Sequence, residues 1–364
     1  MGAICCIQRN DDDDNDNNNV YFYYNDNRII AKFDIKEEDL NKEIRIINSY
    51  EEMKSAKYQM DYEEIYQNEK EIQKCLIKIN KEMIPFSYYY TFNKTGINII
   101  EYMFFEKITK TNCMFYNCSS LKEINLSEFK TKDIIDMSYM FKGCKSLTNI
   151  NLSNFDTKNV INMRSMFNGC YSLENINLSD FNTINATNMS SMFNGCKSLI
   201  NIDISNFDTI NVTNMSCMFS GCNTLRYLNL SNFNTSNVTN MYNMFSGCCS
   251  LTNIDLSNFD TKNVINMSSM FFKCESLINI NLSHFDTRNV IDITNMFSQC
   301  SSLTYINLSN FSDKNIEKVN NLFSECNSLI KIELPNFKII SQSENSNMFN
   351  ECIALIHVYF IDNE

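Results

Sequence analysis

The sequence predicts an α/β solenoid, in which a parallel sheet plus short helices is built from repeats and preceded by a small β-rich domain. Three observations predict it: a strict 26-residue period, two interleaved hydrophobic patterns inside each period, and a composition short of the usual chain breakers. The period is read from Cys118, Cys144, Cys170, Cys196, Cys222, Cys248, Cys274, Cys300, Cys326 and Cys352, which stand at nine successive intervals of 26 residues. Three residues before each comes a phenylalanine: Phe115, Phe141, Phe167, Phe193, Phe219, Phe245, Phe271, Phe297, Phe323 and Phe349. A leucine lies three residues after every cysteine, from Leu121 to Leu355, and no insertion breaks the register. Self-similarity at this period is the mark of stacked supersecondary units that cannot bury their own apolar faces alone.

One rung reads C-x-S-L-x-x-I-x-L-S-x-F-x-T-x-x-V-x-x-M-x-x-M-F. Leu147, Ile150 and Leu152 end in the period-2 spacing of a strand with one buried face. Met137, Met140, Phe141 and Cys144 follow the i, i+3, i+4, i+7 stripe of a short helix lying on a core. Asn162 before Met163 and Asn214 before Met215 stand where N-caps are expected. Phe155 and Val160 fall between strand and helix and are expected to point inward from the loop. Ten such strands at about 4.8 Å apart predict a parallel sheet about 45–50 Å long.

Composition narrows the function. A net charge of −12 argues against nucleic acid and against adhesion to an anionic membrane by charge alone, since both need clustered Lys and Arg. Only 2 Pro and 7 Gly accompany many turns, so another residue must make them; abundant Asn, which tolerates left-handed backbone and bonds its own main chain, fits that role. No stretch approaches the roughly 18 apolar residues of a transmembrane helix. Asp11 to Asp14 occupy the place where a secretory signal would carry its apolar core, so the sequence as it stands shows no route out of the cytosol.

The C-x-x-L-x-x-I-x-L stretch followed by M-F-x-x-C resembles the BspA-type leucine-rich repeat. More narrowly it resembles the variant carrying S-x-F-x-T-x-N-V-x-x-M, here Ser153, Phe155, Thr157, Asn159, Val160 and Met163. The match covers about residues 109–364. It implies a right-handed solenoid or horseshoe and a role in protein–protein or cell-surface interaction, without enzyme activity. The missing export signal departs from that pattern.

Residues 1–19 read as an anchor and an Asp/Asn-rich disordered spacer. Gly2 behind Met1, with Cys5 and Cys6 close by, resembles an N-myristoylation start flanked by palmitoylation sites, although Cys6 stands where the usual pattern has Ser or Thr. One myristoyl chain holds a membrane only marginally, so Cys5 and Cys6 are expected to supply the second acyl group. Residues 20–108 lack the repeat and read as a β-rich, sandwich-like cap over the first rung. Strands are expected at Ile29–Ile35, Ile44–Ile47 and Cys75–Ile79, and a hairpin from Tyr88–Phe92 and Ile97–Phe104. Residues 50–74 read as a helix or a long loop. At the other end, Val358, Tyr359 and Phe360 leave a sheet edge open to end-to-end self-association through the last rung.

A cysteine repeating on a buried stripe is most often a small hydrophobe, with disulfides or a metal as alternatives. Cys113, Cys217 and Cys249 fall off the ladder and read as incidental. Along the strands, Asn125, Asn151, Asn177, Asp203, Asn229, Asp255, Asn281, Asn307, Glu333 and Tyr359 form an outward ladder. Its side chains are expected to bond one another and hold the register, or else to form a polar recognition surface. Arg226, Tyr227, Tyr305, His357 and Tyr359 break the pattern and are the candidate partner-binding residues, because exposed aromatics and Arg are common anchors. The N-x-S/T triplets within the strands would place glycans over the same face, which mildly favours a compartment without N-glycosylation. With two His, and no nucleophile elbow or phosphate loop, neither catalysis nor a cofactor or metal is predicted.

The resulting expectation is a non-enzymatic protein-interaction scaffold, acylated and peripheral on the cytoplasmic face of a membrane, with an unidentified protein partner. The alternative is an exported BspA-like surface adhesin that binds a host or extracellular protein.

Overall fold

The computed structural model describes residues 27–55, 67–312, 314–335 and 347–361. Ahead of the repeat lie strands β1 (Arg28–Ile35), β2 (Glu43–Arg45), β3 (Leu76–Ile79), β4 (Glu82–Ile84), β5 (Tyr89–Thr91) and β6 (Gly96–Met103). Two short helices, α1 (Tyr50–Ser55) and α2 (Glu69–Ile72), fall between β2 and β3. The rungs contribute β7 (Leu121–Asn125), β8 (Asn149–Asn151), β9 (Asn175–Asn177), β10 (Asn201–Asp203), β11 (Tyr305–Asn307), β12 (Lys331–Pro335) and β13 (His357–Ile361).

The leading segment differs from a sandwich. It shares one sheet with the first two rungs, in the order β4-β3-β6-β1-β7-β8. β1 pairs antiparallel with both β6 and β7, and its strict alternation buries Ile29, Ala31, Phe33 and Ile35 over the end of the solenoid. One apolar cluster therefore runs unbroken from Ile29 into the rungs. The expected hairpin between residues 88–92 and 97–104 does not form: β5 pairs with β2, and β6 lies between β1 and β3. The hairpin in this region is β3–β4, turned by Asn80 and Lys81 at φ 48° and 79°, the two-residue left-handed turn such connections favour.

In the repeat, the strand positions pair in parallel with Ile opposite Ile, as Ile124 does with Ile150 and Ile176 with Ile202. A continuous ten-strand sheet is not formed. Sheet assignment lapses between β10 and β11, where residues 227–229, 253–255 and 279–281 carry no strand. A second parallel ladder is more complete: eight successive one-residue bridges run from Lys110 through Asp136, Asn162 and Asn188 to Lys318. The Asp136–Asn162 bridge is flanked by Ile161 N–H to Ile135 O at 2.9 Å and Met137 N–H to Asn162 O at 3.0 Å.

The expected short helix is replaced by a staircase of turns. Met140, Lys142 and Cys144 donate three residues back, to Met137, Tyr139 and Phe141. The amides between them, Tyr139, Phe141 and Gly143, donate instead to Arg164, Met166 and Asn168 of the next rung at 2.7–2.9 Å. A helix would direct all of them back along its own chain. The structure needs left-handed backbone at two positions per rung, one occupied by Tyr139, Ser165, Ser191, Cys217 and Asn243, the other by Gly143 to Gly247 and then Lys273, Gln299, Glu325 and Glu351. The stripe spacing of Met137, Met140, Phe141 and Cys144 is met equally well by this staircase, which is why the period alone misled. Asn162 is likewise no N-cap. It forms a bridge residue, and its Oδ1 accepts the Arg164 N–H at 3.1 Å in an Asx turn.

Packing follows the repeat letter by letter. Ladder phenylalanines stack face to face, Phe193 on Phe219 at 5.6 Å and Phe219 on Phe245 at 6.0 Å, and a second stack runs through Phe155, Phe181, Phe207 and Phe233. Val160 is fully buried, as expected. Each ladder cysteine from Cys144 to Cys352 is a free thiol, and its Sγ donates to the carbonyl of the phenylalanine 29 residues earlier. Buried Thr157, Thr183 and Thr209 donate across rungs to Asn182, Asp208 and Asn234 carbonyls at 2.8–2.9 Å. Asn159, Asn185 and Asn211 reach back to Lys132, Lys158 and Ile184 carbonyls at 2.7–2.8 Å. Each such bond contributes about 0.5–1.5 kcal/mol net, and their repetition makes the consensus polar residues structural.

Candidate strand-face binding surface

The outward ladder of strand residues does not bond along itself. Asn125, Asn151, Asn177, Asp203, Asn229, Asp255, Asn281 and Asn307 each accept the backbone N–H two residues on, at 2.8–3.1 Å. The recurrent N/D-x-S triplets are therefore Asx turns that close the strand position of each rung, formed by the Asn or Asp side chain and the Ser amide. Only toward the last rungs does this row bond across, where Asn307 Nδ2 donates to Glu333 at 2.7 Å.

Three of the five candidate binding residues come together there. Parallel register places Tyr305, Lys331 and His357 in one row and Asn307, Glu333 and Tyr359 in the next but one. The Lys331 ammonium lies over the Tyr305 ring at 5.3 Å and the Tyr359 ring at 5.1 Å, and pairs with Glu333 at 2.6 Å. Glu333 holds the Lys331 pKa above its ordinary value, and Lys331 holds the Glu333 carboxyl below its own. His357 packs beside Tyr359 with ring centres 5.9 Å apart. Both tyrosines keep over a third of their surface in solvent, 40% for Tyr305 and 47% for Tyr359. The result is an exposed aromatic surface with its charge fixed in place, the composition of a binding anchor.

Arg226 and Tyr227 do not join it. They lie three rungs earlier, where Tyr227 is 70% exposed at the end of a separate trough. Gly2, Cys5 and Cys6 lie outside the described residues. The structural ladder, by contrast, is wholly interior from Phe141 and Cys144 to Phe323 and Cys326. Burial drives its thiols upward, to about 12 for Cys196, Cys248 and Cys326. Two off-ladder cysteines are not incidental: Cys113 and Cys217 fill the left-handed column at φ 61° and 57°.

Sequence reasoning missed a second surface, on the turn side of the early rungs. Lys142 lies over the rings of Tyr116 and Tyr139, Arg164 over Tyr139, and Lys145 and Lys197 over Tyr171. Burial and then the neighbouring Arg164 push the Lys142 ammonium pKa down. Tyr116, Lys142, Tyr139 and Arg164 depart from columns that are mostly Ser or Asn, the same signal that singled out the strand-face aromatics, whereas Lys145, Tyr171 and Lys197 share a column with no consensus.

Period, parallel ladders and stacked core define a leucine-rich-repeat β-solenoid that carries an exposed strand face. The family model described as "Mycoplasma protein of unknown function, DUF285" matches residues 86–200, 172–277 and 249–358. The chain belongs to that family. Among solved structures it is similar to a leucine-rich repeat protein from Bacteroides ovatus ATCC 8483, at 21% identity and a TM-score of 0.44, covering 75% of this chain and 67% of that one. It is also similar to a leucine-rich cell surface protein from Faecalibacterium prausnitzii A2-165, at 18% identity and a TM-score of 0.36, covering 71% and 78%. No curated protein matches the chain.

Proposed function

We propose that the chain is a non-enzymatic scaffold that binds a protein partner on its strand face and is held at the cytoplasmic face of a membrane by acylation of Gly2 with Cys5 or Cys6. The observation that carries the binding half is the Tyr305–Lys331–Tyr359 clamp, built from three rungs that a solenoid fold alone would fill with Asn. Partners seated there meet two fixed aromatic faces and an ion pair already oriented by Glu333 and Asn307. Aromatic anchors of this kind carry most of the binding energy in protein interfaces.

The membrane half rests on Gly2 and the adjacent thiols. Metabolic labelling with clickable myristate in eukaryotic cells, beside a Gly2→Ala control and fractionation, tests it. Label and membrane pellet that both vanish in the control support the tether. An unlabelled wild-type chain removes it and leaves the surface adhesin reading in its place.

Self-association through the last rung belongs to the same proposal. Among the described residues β13 pairs only with β12, and Ile353, Ile356 and Phe360 are 83%, 71% and 49% exposed beside it. An apolar edge strand of this kind is a template for a second chain. Mass measured across a concentration series is expected to rise with concentration for the wild type and to stay monomeric for Phe360→Lys.

A further inference from the structure

We propose that the trough on the strand face of β8, β9 and β10, closed by Tyr227, is a binding site for a neutral oligosaccharide. It is separate from the Tyr305–Lys331–Tyr359 clamp and does not depend on what binds there. The trough encloses about 520 Å³ and is bounded by two rows of outward side chains at the same strand positions on consecutive rungs. Its long axis therefore follows the stacking direction, with one polar group on each rim every 4.8 Å or so.

The chemistry of its walls selects the ligand. One rim is Asn149, Asn175 and Asn201, and the next residue in that row is Tyr227. Asn201 Nδ2 donates to Asn175 Oδ1 at 3.1 Å, which fixes both amide planes. That leaves the Asn175 amide hydrogens and the Asn201 carbonyl facing outward, while Asn149 has no side-chain partner among the described residues. Donors and acceptors thus alternate along the rim, matching hydroxyls, which both give and accept. On the opposite rim Asn177 and Asp203 are held by the Ser179 and Ser205 amides and keep their remaining polar atoms available. Ile150 and Ile202, at the strand positions between the rims, pack their side chains against the core behind the trough.

Tyr227 completes the argument. Its ring is 70% exposed, stands where the three preceding rungs carry Asn, and has no partner among the described residues. An exposed aromatic face beside a row of amides is the environment that suits a sugar ring, whose C–H face is apolar and whose rim is hydroxylic. A polyanion is excluded because Asp203 is the charged group lining the trough and it is negative. An added peptide strand is disfavoured because the trough crosses the strands and offers no free backbone edge.

The test is calorimetric titration of the full chain with cellohexaose, maltohexaose and chitohexaose. At least one is expected to bind. Tyr227→Ala should weaken that binding about tenfold, the loss of one stacking platform, while Tyr227→Phe keeps it and Tyr305→Ala leaves it unchanged. Tyr227 is clear of the core, so the variants are expected to melt as the wild type does. The proposal is overturned if none of the three sugars binds, if Tyr227→Ala binds as tightly as wild type, or if Tyr305→Ala abolishes the same binding.

Discussion

The Cys222 thiol lies 3.3 Å from the Phe193 carbonyl oxygen of the preceding rung, and Phe193 is itself stacked on Phe219. Each ladder cysteine thus touches its own rung through packing and the previous rung through sulfur. The thiol is a small apolar filler that also donates one weak hydrogen bond.

This arrangement predicts a sharp division of thiol reactivity. Cys144 to Cys326 on the ladder are buried, whereas Cys217 and Cys249 are partly exposed. A maleimide pulse on native protein, read by peptide mass mapping, should label Cys217 and Cys249 and spare Cys170 to Cys300 until denaturant is added. Equal labelling of Cys222 and Cys249 in native buffer would contradict the buried ladder.

Stability should also fall in alkali. The folded state keeps the ladder thiols protonated, with Cys196, Cys248 and Cys326 pushed up to about 12 by burial. An unfolded thiol ionises near 8.5 or so. The stabilisation is therefore complete below about pH 8.5 and is lost as pH rises toward about 12, because the unfolded chain releases protons that the folded one retains. Urea midpoints at rising pH should decline across that window, with a shallower slope when Cys196, Cys222 and Cys248 are all alanine. An identical slope in that triple variant would refute the linkage.

Removing a ladder ring should be expensive. Phe219 is fully buried between Phe193 and Phe245, and Phe219→Ala should lose about 3–5 kcal/mol. Chemical denaturation measures it, and a loss under about 1 kcal/mol would be incompatible with the stacked core.

The period and the inward side chains were legible because a buried face imposes residue type at fixed spacing. Phe155, Val160, Phe219 and Cys222 all fall inside where the pattern puts them. What the pattern could not convey was hydrogen-bond direction. A helix and the turn staircase bury Met137, Met140, Phe141 and Cys144 alike, and they differ in where the Tyr139 and Phe141 amides point. Recurrent Gly143, Gly169, Gly195, Gly221 and Gly247 were the available signal, since that column is left-handed throughout, with its glycines at φ +71° to +76°. The clamp was partly visible: Tyr305, His357 and Tyr359 stood out as departures and Glu333 stood in the outward ladder, while Lys331 went unnoticed until register put it between the rings.

The Asx reading of the strand ends carries its own prediction. Asn177 Oδ1 accepts the Ser179 amide at 3.0 Å, a bond that needs the Asn side chain but not the Ser hydroxyl. Asn177→Ala should lose about 0.5–1.5 kcal/mol while Ser179→Ala and Asn177→Asp stay close to wild type in thermal melts. Equal losses for Asn177→Ala and Ser179→Ala would show that the hydroxyl matters instead.

The measurement that bears most directly on the scaffold reading is site-specific photocrosslinking in cells. A benzoylphenylalanine is placed at Tyr305 on the strand face and, separately, at Tyr242 on the turn side, each about equally exposed at 40%. The account predicts a discrete protein adduct from position 305 that is lost when Lys331→Glu is added, and no such adduct from position 242. No adduct at position 305, or the same adducts from both faces, would contradict it.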